Sequence, residues 1–362
     1  MPKKSKRTRR KLMSMPADVR SKIETMPESF RKPTVLGALI DIVYSRIRYG
    51  AGIDDYFDFR FYSLNHRGRK SFGTVRDKFA IRNYVNEPDY CVRISDKGQF
   101  AKYYGEFMRR NTFHVEAGTG DKELQEYCAR MKENGINRFF IKPCKGGEGI
   151  GVFILDVDDP ILESVGALMK KYGQINAQEI KNRPHYEKKL LARDELMIEP
   201  MLENHPEVNK IHPSSLNTMR IPTLYTGGEF KIMAACIRFG RDGSVVDNIN
   251  SGGMTAEIDL DTGVIMTPAV DHAGRQYVVH PTTNEIIVGL RIPFWDEIKE
   301  MVVKAAEVTP QVKYVGWDVA VTPNGPMIIE GNTCGSLQIQ QIPRHLGNRY
   351  LYEEVLKNAG KW

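Results

Sequence analysis

Apolar side chains recur every three or four positions along residues 33–49, and this period predicts an amphipathic helix. Residues 54–64, which come next, are crowded with Tyr and Phe. Rings at that density are typical of a contact between subdomains, because each ring buries a large apolar area. We therefore expect residues 16–94 to form a helical and aromatic N-terminal region, and we assign the aromatic segment no catalytic role.

From residue 95 the pattern changes to alternating helices and strands. Asp96 and Asp121 are the predicted N-caps of two helices, since a carboxylate accepts hydrogen bonds from the free N–H groups of a first turn. A short β-prone run at residues 138–142 comes next, and a glycine-rich segment and a second strand follow it. These elements predict a first α+β subdomain over residues 95–205.

The remaining chain is richer in β-prone runs. Residues 315–322 and 327–332 predict a hairpin, because Pro323-Asn-Gly325 between them contains residue types that tight turns favour. We expect a second α+β subdomain over residues 206–345 and a C-terminal helix over residues 346–362. The chain as a whole therefore belongs to the α+β class.

Positive charge is concentrated at the N-terminus. The net charge is +7, and seven of the 52 Lys and Arg residues lie within residues 1–11, where there is no acid. We expect residues 1–15 to be a disordered basic tail. It is either a solvated terminus or a segment that contacts anionic surfaces, at about 1 kcal/mol per basic residue near an anionic membrane. The body is electrically balanced, so we do not expect it to bind nucleic acid.

Several classes of protein are excluded by the residue pattern. The longest apolar run near the N-terminus is too short to span a bilayer, and no signal-peptide core follows the basic start. We therefore expect a cytoplasmic protein. The five cysteines are scattered without a CxxC pair, and the histidines form no HExxH motif, so a disulfide framework or a zinc hydrolase has little support.

A glycine-rich segment after the 138–142 strand is the first candidate for chemistry. It contains four glycines that can bring backbone N–H groups close to an anion: Gly146, Gly147, Gly149 and Gly151. Lys142 at the end of the strand adds a positive charge suited to phosphate. The segment fits neither the Walker motif nor GxGxxG, and a hairpin without chemistry is an equally good interpretation of it alone.

The predicted C-terminal hairpin holds a second set of candidates. Glu330 and Asn332 are two residues apart on one strand, so they face the same side. If Pro323-Asn-Gly325 forms a three-residue loop, Asp318 lies opposite Glu330. Two carboxylates and an amide carbonyl would then share one face, a ligand set that suits Mg²⁺ bound with substrate phosphates. The alternative is an exposed, salt-bridged sheet face.

A third, weaker signal is the apolar run that ends in Glu199-Pro-Met201. Such a run is typical of a crossing between subdomains, where a backbone hinge can hydrogen-bond a purine. Taken in chain order, Lys142, the glycine-rich segment, this hinge and the Asp318…Glu330-x-Asn332 set resemble the ATP-grasp superfamily. The resemblance implies an ATP-grasp fold, in which two α+β subdomains clamp ATP.

The resemblance to this superfamily covers roughly residues 95–340 and implies further nucleotide contacts. The helix start Ser95-Asp-Lys97 looks like the superfamily's nucleotide-facing lysine, which singles out Lys97. Together with Lys142 it would hold phosphates, while Glu199 and Met201 would contact adenine. The ribose contact would come from Glu207, with Glu203 as the alternative.

Several passages in the second half look like one branch of that superfamily, the sugar-transfer-associated ATP-grasp proteins. These passages lie within residues 215–220, 237–253 and 280–295. The chain departs from the superfamily's commonest layout in its N-terminal region, which has helices in place of a Rossmann-like domain. The place where an acceptor binds is therefore left open.

The activity implied by the resemblance is the joining of a carboxylate to an amine. ATP, with Mg²⁺ or alternatively Mn²⁺, would activate the carboxylate as an acyl phosphate, and amine attack would give an amide, ADP and phosphate. Arg220 and Arg238 are the candidates for stabilising developing charge, and Asn217 and Asn248 would assist. For each arginine, a surface ion pair is an equally weighted interpretation.

Other functions stay open at this stage. One is a phosphotransferase on the same fold, which would stop at phosphoryl transfer. Another is a non-catalytic protein that binds nucleotides or anionic polymers. The partners of the predicted ligase are ATP, a small-molecule or peptide carboxylate and an amine acceptor, and neither the two organic substrates nor the oligomeric state follows from the sequence.

Overall fold

A computed structural model of the chain describes residues 6–145, 151–182 and 195–358. Its N-terminal region is helical, with a 3-10 helix at Phe61–Ser63. The helices of this region are α1 (Lys6–Thr25), α2 (Val35–Tyr49), α3 (Ile53–Asp58), α4 (His66–Ser71), α5 (Val75–Val85) and α6 (Pro88–Ser95). The helix predicted at residues 33–49 is confirmed as α2.

Helix α1 changes the interpretation of the basic tail. Residues 6–15, which the composition predicts to be disordered, form the first half of this helix. Lys, Arg, Leu and Met are favourable helix formers, so local propensity supports a helix despite the repulsion between like charges. The second half of α1 buries Val19 in the N-terminal core and so anchors the helix to the fold.

The first sheet has four strands in the order β1-β4-β2-β3. Its strands are β1 (Phe113–Val115), β2 (Arg138–Pro143), β3 (Phe153–Asp156) and β4 (Leu196–Pro200). The helices of this part are α7 (Lys97–Met108), α8 (Asp121–Glu133) and α9 (Val165–Asn182), with a 3-10 helix at Pro160–Glu163. Helices α8 and α9 share a hydrophobic core with the sheet. Helix α7 packs instead on β12 of the second sheet, although it precedes the first sheet in the chain, and it thereby links the two sheets.

The two N-caps predicted in this half have different outcomes. Asp96 caps α7, since its side chain accepts the Gln99 N–H at 3.0 Å. The prediction for Asp121 is wrong by one residue, because Gly120 occupies the N-cap and donates its N–H to Glu123 at 3.1 Å. Asp121 begins α8 itself. Its side chain accepts the N–H of Val165 at 2.8 Å, which links α8 to the start of α9.

The second sheet has eight strands, with seven in the order β10-β9-β8-β7-β5-β11-β12 and β6 paired to β5. They are β5 (Thr218–Thr226), β6 (Glu229–Ile232), β7 (Cys236–Phe239), β8 (Met254–Glu257), β9 (Ala269–Asp271), β10 (Gln276–Tyr277), β11 (Tyr314–Thr322) and β12 (Gly325–Asn332). The remaining helices are α10 (Pro206–Asn209), α11 (Trp295–Val308) and α12 (Glu353–Asn358), with 3-10 helices at Ile249–Ser251 and Arg349–Tyr352. Helices α7 and α11 cover the sheet and complete the largest core. The predicted C-terminal helix is thus shorter than expected within the described residues.

The β11–β12 hairpin has the expected pairing of Asp318 with Glu330, but a different turn and a β-bulge produce it. Thr322 pairs with Gly325, so the turn has two residues and not the three that were predicted. Continued without interruption, that register would not place Asp318 opposite Glu330. A β-bulge between Asp318 and Val319 shifts the register by one residue, and Asp318 therefore pairs with Glu330.

The length and the hydrophobicity of a helix together decide whether it could cross a membrane. None of the helices within residues 6–145, 151–182 and 195–358 combines the length and the apolar character needed to cross a bilayer.

Candidate active site between the two sheets

A cleft of about 530 Å³ opens between the first sheet and the end of β12. That volume lies in the range of small-molecule sites. Its described lining combines apolar and charged side chains: Val92, Ile94, Ser95, Asp96, Lys97, Phe100, Met108, Lys142, Lys145, Glu199, Ile329, Glu330, Gly331, Asn332, Thr333 and Cys334. The two predicted phosphate lysines and two of the three predicted metal ligands therefore face one space.

Lys97 reaches the cleft because α7 starts there. The Asp96 cap fixes the first turn of α7, and the Lys97 N–H donates to the Cys144 carbonyl at 3.1 Å, which ties the helix to the end of β2. Burial lowers the pKa of the Lys97 ammonium group, and the nearby Glu330 carboxylate partly opposes that effect. Lys97 is thus a desolvated cation that an anionic ligand would stabilise.

Lys142 lies in a buried charge cluster at the junction of β2 and β4. Its Nζ is 2.8 Å from Oε2 of Glu199, while Arg110 Nη2 is 3.1 Å from Oε1 of the same carboxylate. All three side chains are less than a tenth exposed. Burial alone would raise the pKa of Glu199, but Arg110 and Lys142 together lower it below its ordinary value. Glu199 is therefore ionised and carries one negative charge between two positive ones.

Arg110 also connects this cluster to the second sheet. Its guanidinium group donates to the carbonyls of Ile328 and Ile329 on β12, at 3.0 and 3.1 Å. One arginine thus joins Glu199 on β4 to the strand that carries Glu330. Sequence reasoning missed Arg110, because a basic residue after a helix is common on protein surfaces.

The predicted metal ligands are brought onto one face of the hairpin, as the spacing requires. Asn332 Nδ2 donates to Glu330 Oε1 at 3.4 Å, and both side chains border the cleft. Asp318 lies opposite Glu330 on β11. Two carboxylates and an amide oxygen are hard ligands that fit Mg²⁺. The residues present are therefore compatible with the divalent ion that the sequence implies.

Asp318 has partners that the sequence did not reveal. Its carboxylate forms a two-point contact with Arg220, which pairs with it across β5 and β11, and Arg238 Nη2 lies 3.1 Å from its Oδ2. Burial would raise the pKa of Asp318, but the two guanidinium groups lower it. Gly316 makes room for this arrangement, because a Cβ there would come within 3.2 Å of Arg220 Cδ. The alternative of a surface ion pair is thereby excluded for both arginines.

Arg238 extends the cluster toward β7 and the following loop. It donates to the Thr218 hydroxyl, and Asp247 Oδ2 lies 3.5 Å from its Nε. Asp247 in turn accepts the Thr218 hydroxyl at 2.5 Å and the Thr218 N–H at 2.8 Å. Burial raises the pKa of Asp247, although Arg238 and Thr218 oppose the shift. Sequence reasoning missed Asp247, even though it lies directly before the candidate Asn248.

Asn217 makes its described hydrogen bonds outside this cluster, and its predicted catalytic role stays a prediction. Its backbone N–H donates to Asn204 Oδ1 at 2.9 Å, and its side-chain amide donates to the His212 carbonyl at 2.8 Å. Its Oδ1 accepts the Ser215 hydroxyl at 2.9 Å. Both ends of the buried side chain are therefore used in holding the loop before β5.

Of the predicted adenine and ribose contacts, Glu199 lines the cleft, whereas Met201 and Glu207 lie outside its described lining. The Met201 N–H donates to the Arg138 carbonyl at 3.0 Å, so this group of the predicted hinge is already used within the sheet. Glu207 lies on α10 with its carboxylate 2.7 Å from Lys210 Nζ. It is exposed and outside the described lining of the cleft, as Met201 is. The structure therefore does not bring Glu207 to the cleft. Asn248 is half-buried and follows Asp247 in the chain, and its catalytic role stays a prediction.

The glycine-rich segment is described only at its end. Gly146, Gly147 and Gly149 lie outside the described residues, so their predicted phosphate contacts stay predictions. Gly151 has a φ of +77°, and a Cβ on it would lie 3.0 Å from Asn176 Oδ1. Both the backbone angle and the close neighbour require glycine here, at the point where the chain enters β3.

The fold and cleft define a protein of the ATP-grasp class, and comparison with known families makes the assignment specific. The chain belongs to the family of sugar-transfer associated ATP-grasp proteins, whose family model matches residues 74–357. This confirms both the superfamily and the branch that the sequence motifs resemble. Comparison with curated protein sequences gives no match.

Solved structures give distant similarities. The D-alanyl-alanine synthetase A of Vibrio cholerae is 11% identical with a TM-score of 0.45, and the match covers 76% of this chain and 68% of that chain. The D-alanine-D-alanine ligase of Coxiella burnetii is 10% identical with a TM-score of 0.39, covering 75% of this chain and 63% of that chain, less than two thirds of the ligase. D-cycloserine synthetase DcsG is 10% identical with a TM-score of 0.45, covering 85% and 82%.

Proposed function

We propose that this protein is an ATP- and Mg²⁺-dependent ligase that joins a carboxylate to an amine. The carboxylate takes the γ-phosphoryl group of ATP to form an acyl phosphate and ADP. The amine nitrogen then attacks the acyl carbon, the C–O bond to phosphate breaks, and an amide, inorganic phosphate and a proton are released. Family membership supports ATP-dependent chemistry of this kind, and the choice of a ligase is the proposal.

One observation carries the proposal. Lys97 and Lys142 face the same cleft as Glu330 and Asn332. A carboxylate and a triphosphate repel one another, so an enzyme that joins them must supply positive charge and hold both in line. Two lysines opposite a set of oxygen ligands meet that requirement within one cavity.

The two lysines would hold the phosphate oxygens of ATP. Lys97 is half-buried and desolvated, so a phosphate would stabilise its ammonium group. Lys142 is paired to Glu199 and would share its charge between that carboxylate and the phosphate. Glu199 thus positions Lys142, and Arg110 balances the charge of Glu199 when Lys142 turns toward a ligand. The glycine-rich segment that ends at Gly151 would act as a lid and exclude water from the acyl phosphate.

Asp318, Glu330 and Asn332 would hold the divalent ion. Bound there, Mg²⁺ would neutralise phosphate charge. Arg220 and Arg238 already pair with Asp318, and this carboxylate orients their buried guanidinium groups. We propose that these two arginines stabilise the negative charge on the reacting carboxylate and the transferred phosphoryl group.

The test is a hydroxylamine assay, because hydroxylamine traps acyl phosphates as hydroxamates. The protein is incubated with Mg-ATP, hydroxylamine and pooled carboxylates, and hydroxamate and ADP are measured. Glu330→Gln removes one charge at the cleft with little change in shape. Glu229→Gln, an exposed residue on β6, is the matched control. We expect hydroxamate and ADP from the native protein and from the control, and loss of both from Glu330→Gln.

Other outcomes would replace the proposal. ADP together with a phosphorylated compound, and no hydroxamate, would assign the protein as a phosphotransferase. Binding of ATP without turnover in any pool would favour a non-catalytic nucleotide-binding protein. Equal hydroxamate yields from Glu330→Gln and Glu229→Gln would remove Glu330 from the site.

A further inference from the structure

A second cavity, separate from the cleft, lies between the N-terminal helical region and the second sheet. Its volume is about 340 Å³, which suits a molecule of amino-acid or sugar size. Residues of α1 and α3 contribute to one side. The loop after β7, the end of β9 and the loop after β9 form the other side, together with Ile342 and His345. We call it the N-terminal cavity.

Positive charge predominates in the N-terminal cavity. Four basic side chains line it, against two acidic ones, Asp58 and Asp271. The basic ones are Lys22, Arg60, Arg241 and Arg275. Asp271 Oδ2 lies 3.2 Å from Arg241 Nη1 and 3.5 Å from Arg275 Nη1, so it serves both of these arginines. Asp58 is used by His272, whose Nδ1 lies 3.3 Å from its Oδ1.

Two of these basic side chains are not paired with the two acids: Lys22 forms an ion pair with Asp54 at 3.0 Å, and Arg60 is the other. Its Nη2 donates to the Gly274 carbonyl at 3.2 Å, and its guanidinium carbon lies 3.9 Å from the centre of the Phe30 ring. Within the described residues it has no carboxylate partner. Burial lowers the pKa of Arg60, and the positive charge of Arg60 together with burial lowers the pKa of His345 to about 4. At neutral pH, His345 is therefore uncharged beside a desolvated guanidinium group.

Backbone geometry shows that Arg60 is held in place. Its φ is +51°, a left-handed conformation that is unfavourable for a residue with a side chain. Gly274, which accepts its hydrogen bond, has a φ of +82°, and a Cβ there would come within 3.0 Å of the Phe30 ring. Arg60 is thus a strained residue whose partner position admits only glycine, and strained backbone positions are concentrated at ligand sites.

The rest of the lining is largely apolar and indicates what kind of body the ligand has besides its anionic group. Met26, Phe30, Phe57, Tyr62 and Ile342 present apolar or aromatic surface to the same space. An inorganic anion would leave this surface uncovered. A small organic molecule with an anionic group and an apolar or ring-shaped body would satisfy both parts.

Two loops connect the N-terminal cavity to the charged cluster of the second sheet. One is the loop after β7. It contains Asp247, which contacts Arg238 on β7, and it reaches the cavity at Gly252. The other leaves β12 after Asn332 and reaches the cavity at Ile342. A ligand in the cavity would therefore contact the loops that follow β7 and β12, the strands that carry Arg238, Glu330 and Asn332.

We propose that the N-terminal cavity is an organic-substrate site, in which Arg60 binds an anionic group, a carboxylate or a phosphate, and the aromatic wall binds the rest of the molecule. The identification of the ligand as a substrate rests on the proposed function, whereas the binding itself does not. The helical N-terminal region then has a definite role, since it provides Arg60 and half of the wall.

The test uses simple probes that match the cavity. Binding of 4-bromobenzoate, 4-bromophenyl phosphate and the neutral 4-bromobenzamide to the full chain is measured by calorimetry. Bromine also gives an anomalous signal that locates each probe in crystals of the native protein. Arg60→Met removes the charge, Arg60→Lys keeps a positive charge, and Arg138→Met, at an exposed ion pair on β2, is the control.

We expect at least one anionic probe to bind with its bromine inside the cavity, and the amide to bind more weakly. Arg60→Met should raise the Kd of that probe by about tenfold or more, which corresponds to about 1.4 kcal/mol, while Arg138→Met leaves it unchanged. The two anionic probes distinguish a carboxylate from a phosphate. Arg60→Lys should lie between the native protein and Arg60→Met.

The proposal is overturned if neither anionic probe binds, if the bromine lies outside the cavity, or if the amide binds equally well. The crystal result decides the question even if Arg60→Met fails to fold. Binding needs no catalysis, so these outcomes are separate from the hydroxylamine assay. Once a carboxylate that gives hydroxamate is known, Arg60→Met should raise the KM of an organic substrate and leave the KM of ATP unchanged.

Discussion

Replacing Glu199 by Gln tests the buried charge cluster that connects the two sheets. The substitution keeps the shape of the side chain and removes its negative charge. Arg110 and Lys142, whose side chains are 2% and 8% exposed, would then face each other without the carboxylate that lies 3.1 and 2.8 Å from them. Removing one partner of a buried ion pair costs about 3–5 kcal/mol, because the remaining charge stays desolvated.

The expected effect on thermal stability can be worked out from that cost. A change of 1 kcal/mol shifts Tm by about 2 °C in large domains, so Glu199→Gln should lower Tm by about 6–10 °C. Glu207→Gln is the control, because Glu207 forms an ion pair of similar length, 2.7 Å to Lys210, on an exposed helix. Differential scanning calorimetry should show no measurable change for this control.

Nucleotide adds a second measurement on the same variant. If Lys142 binds phosphate, Mg-ADP supplies the negative charge that Glu199→Gln has lost. The rise in Tm on adding saturating Mg-ADP should therefore be larger for Glu199→Gln than for the native protein. A Tm equal to that of the Glu207→Gln control, or a smaller rise with nucleotide, would refute the role that we give to this cluster.

The pH dependence of Glu199 has a definite sign. The pKa of Glu199 is lower in the folded protein than its ordinary value of 4.5. Its contribution to stability is therefore fully present above pH 4.5 and is lost as pH falls through the folded pKa. The difference in Tm between the native protein and Glu199→Gln should stay constant from pH 8 to about pH 5.5 and shrink only below about pH 4.5.

Two further predictions concern substitutions by alanine, at the glycines Gly151 and Gly118 and at Asn217. Gly151→Ala and Gly118→Ala both place alanine at a positive φ, a cost of about 1–2 kcal/mol, but only at Gly151 would the new Cβ lie 3.0 Å from Asn176 Oδ1. Urea denaturation should show the larger loss for Gly151→Ala, and equal losses would contradict the packing argument. Asn217→Ala should lower the free energy of unfolding by about 1–3 kcal/mol and leave kcat unchanged. A fall in kcat without a loss of stability would support the catalytic role predicted for Asn217.

Much of the candidate site could be predicted from local sequence. The positions of Lys97 and Lys142 follow from a helix start and a strand end, both of which have clear local signals. Glu330 and Asn332 share a face because side chains on a strand alternate with a period of two. The order of these motifs was enough to identify the family, which the match over residues 74–357 confirms.

Other parts of the site depend on contacts between distant residues. Arg110 and Glu199 are 89 positions apart, and Arg220 and Asp318 are 98 positions apart. No local pattern distinguishes an arginine that will be buried beside a carboxylate from one that will lie at the surface. The structural hydrogen bonds of Asn217 could not be predicted for the same reason, since its partners come together only once the loop before β5 is folded.

The sequence by itself determined the α+β class, the ATP-grasp family and several residues that face the cleft, among them Lys97, Lys142 and Glu330, because those features follow from short-range periodicity and motif order. Only the tertiary structure decided that a β-bulge after Asp318 sets it opposite Glu330 in spite of the two-residue turn. It also decided which carboxylates are neutralised by arginine, and that Arg60 lines a second cavity with no carboxylate partner among the described residues. Electrostatic partners are chosen by packing in three dimensions, and a charge that is desolvated by packing acquires its chemistry from neighbours far away in the chain.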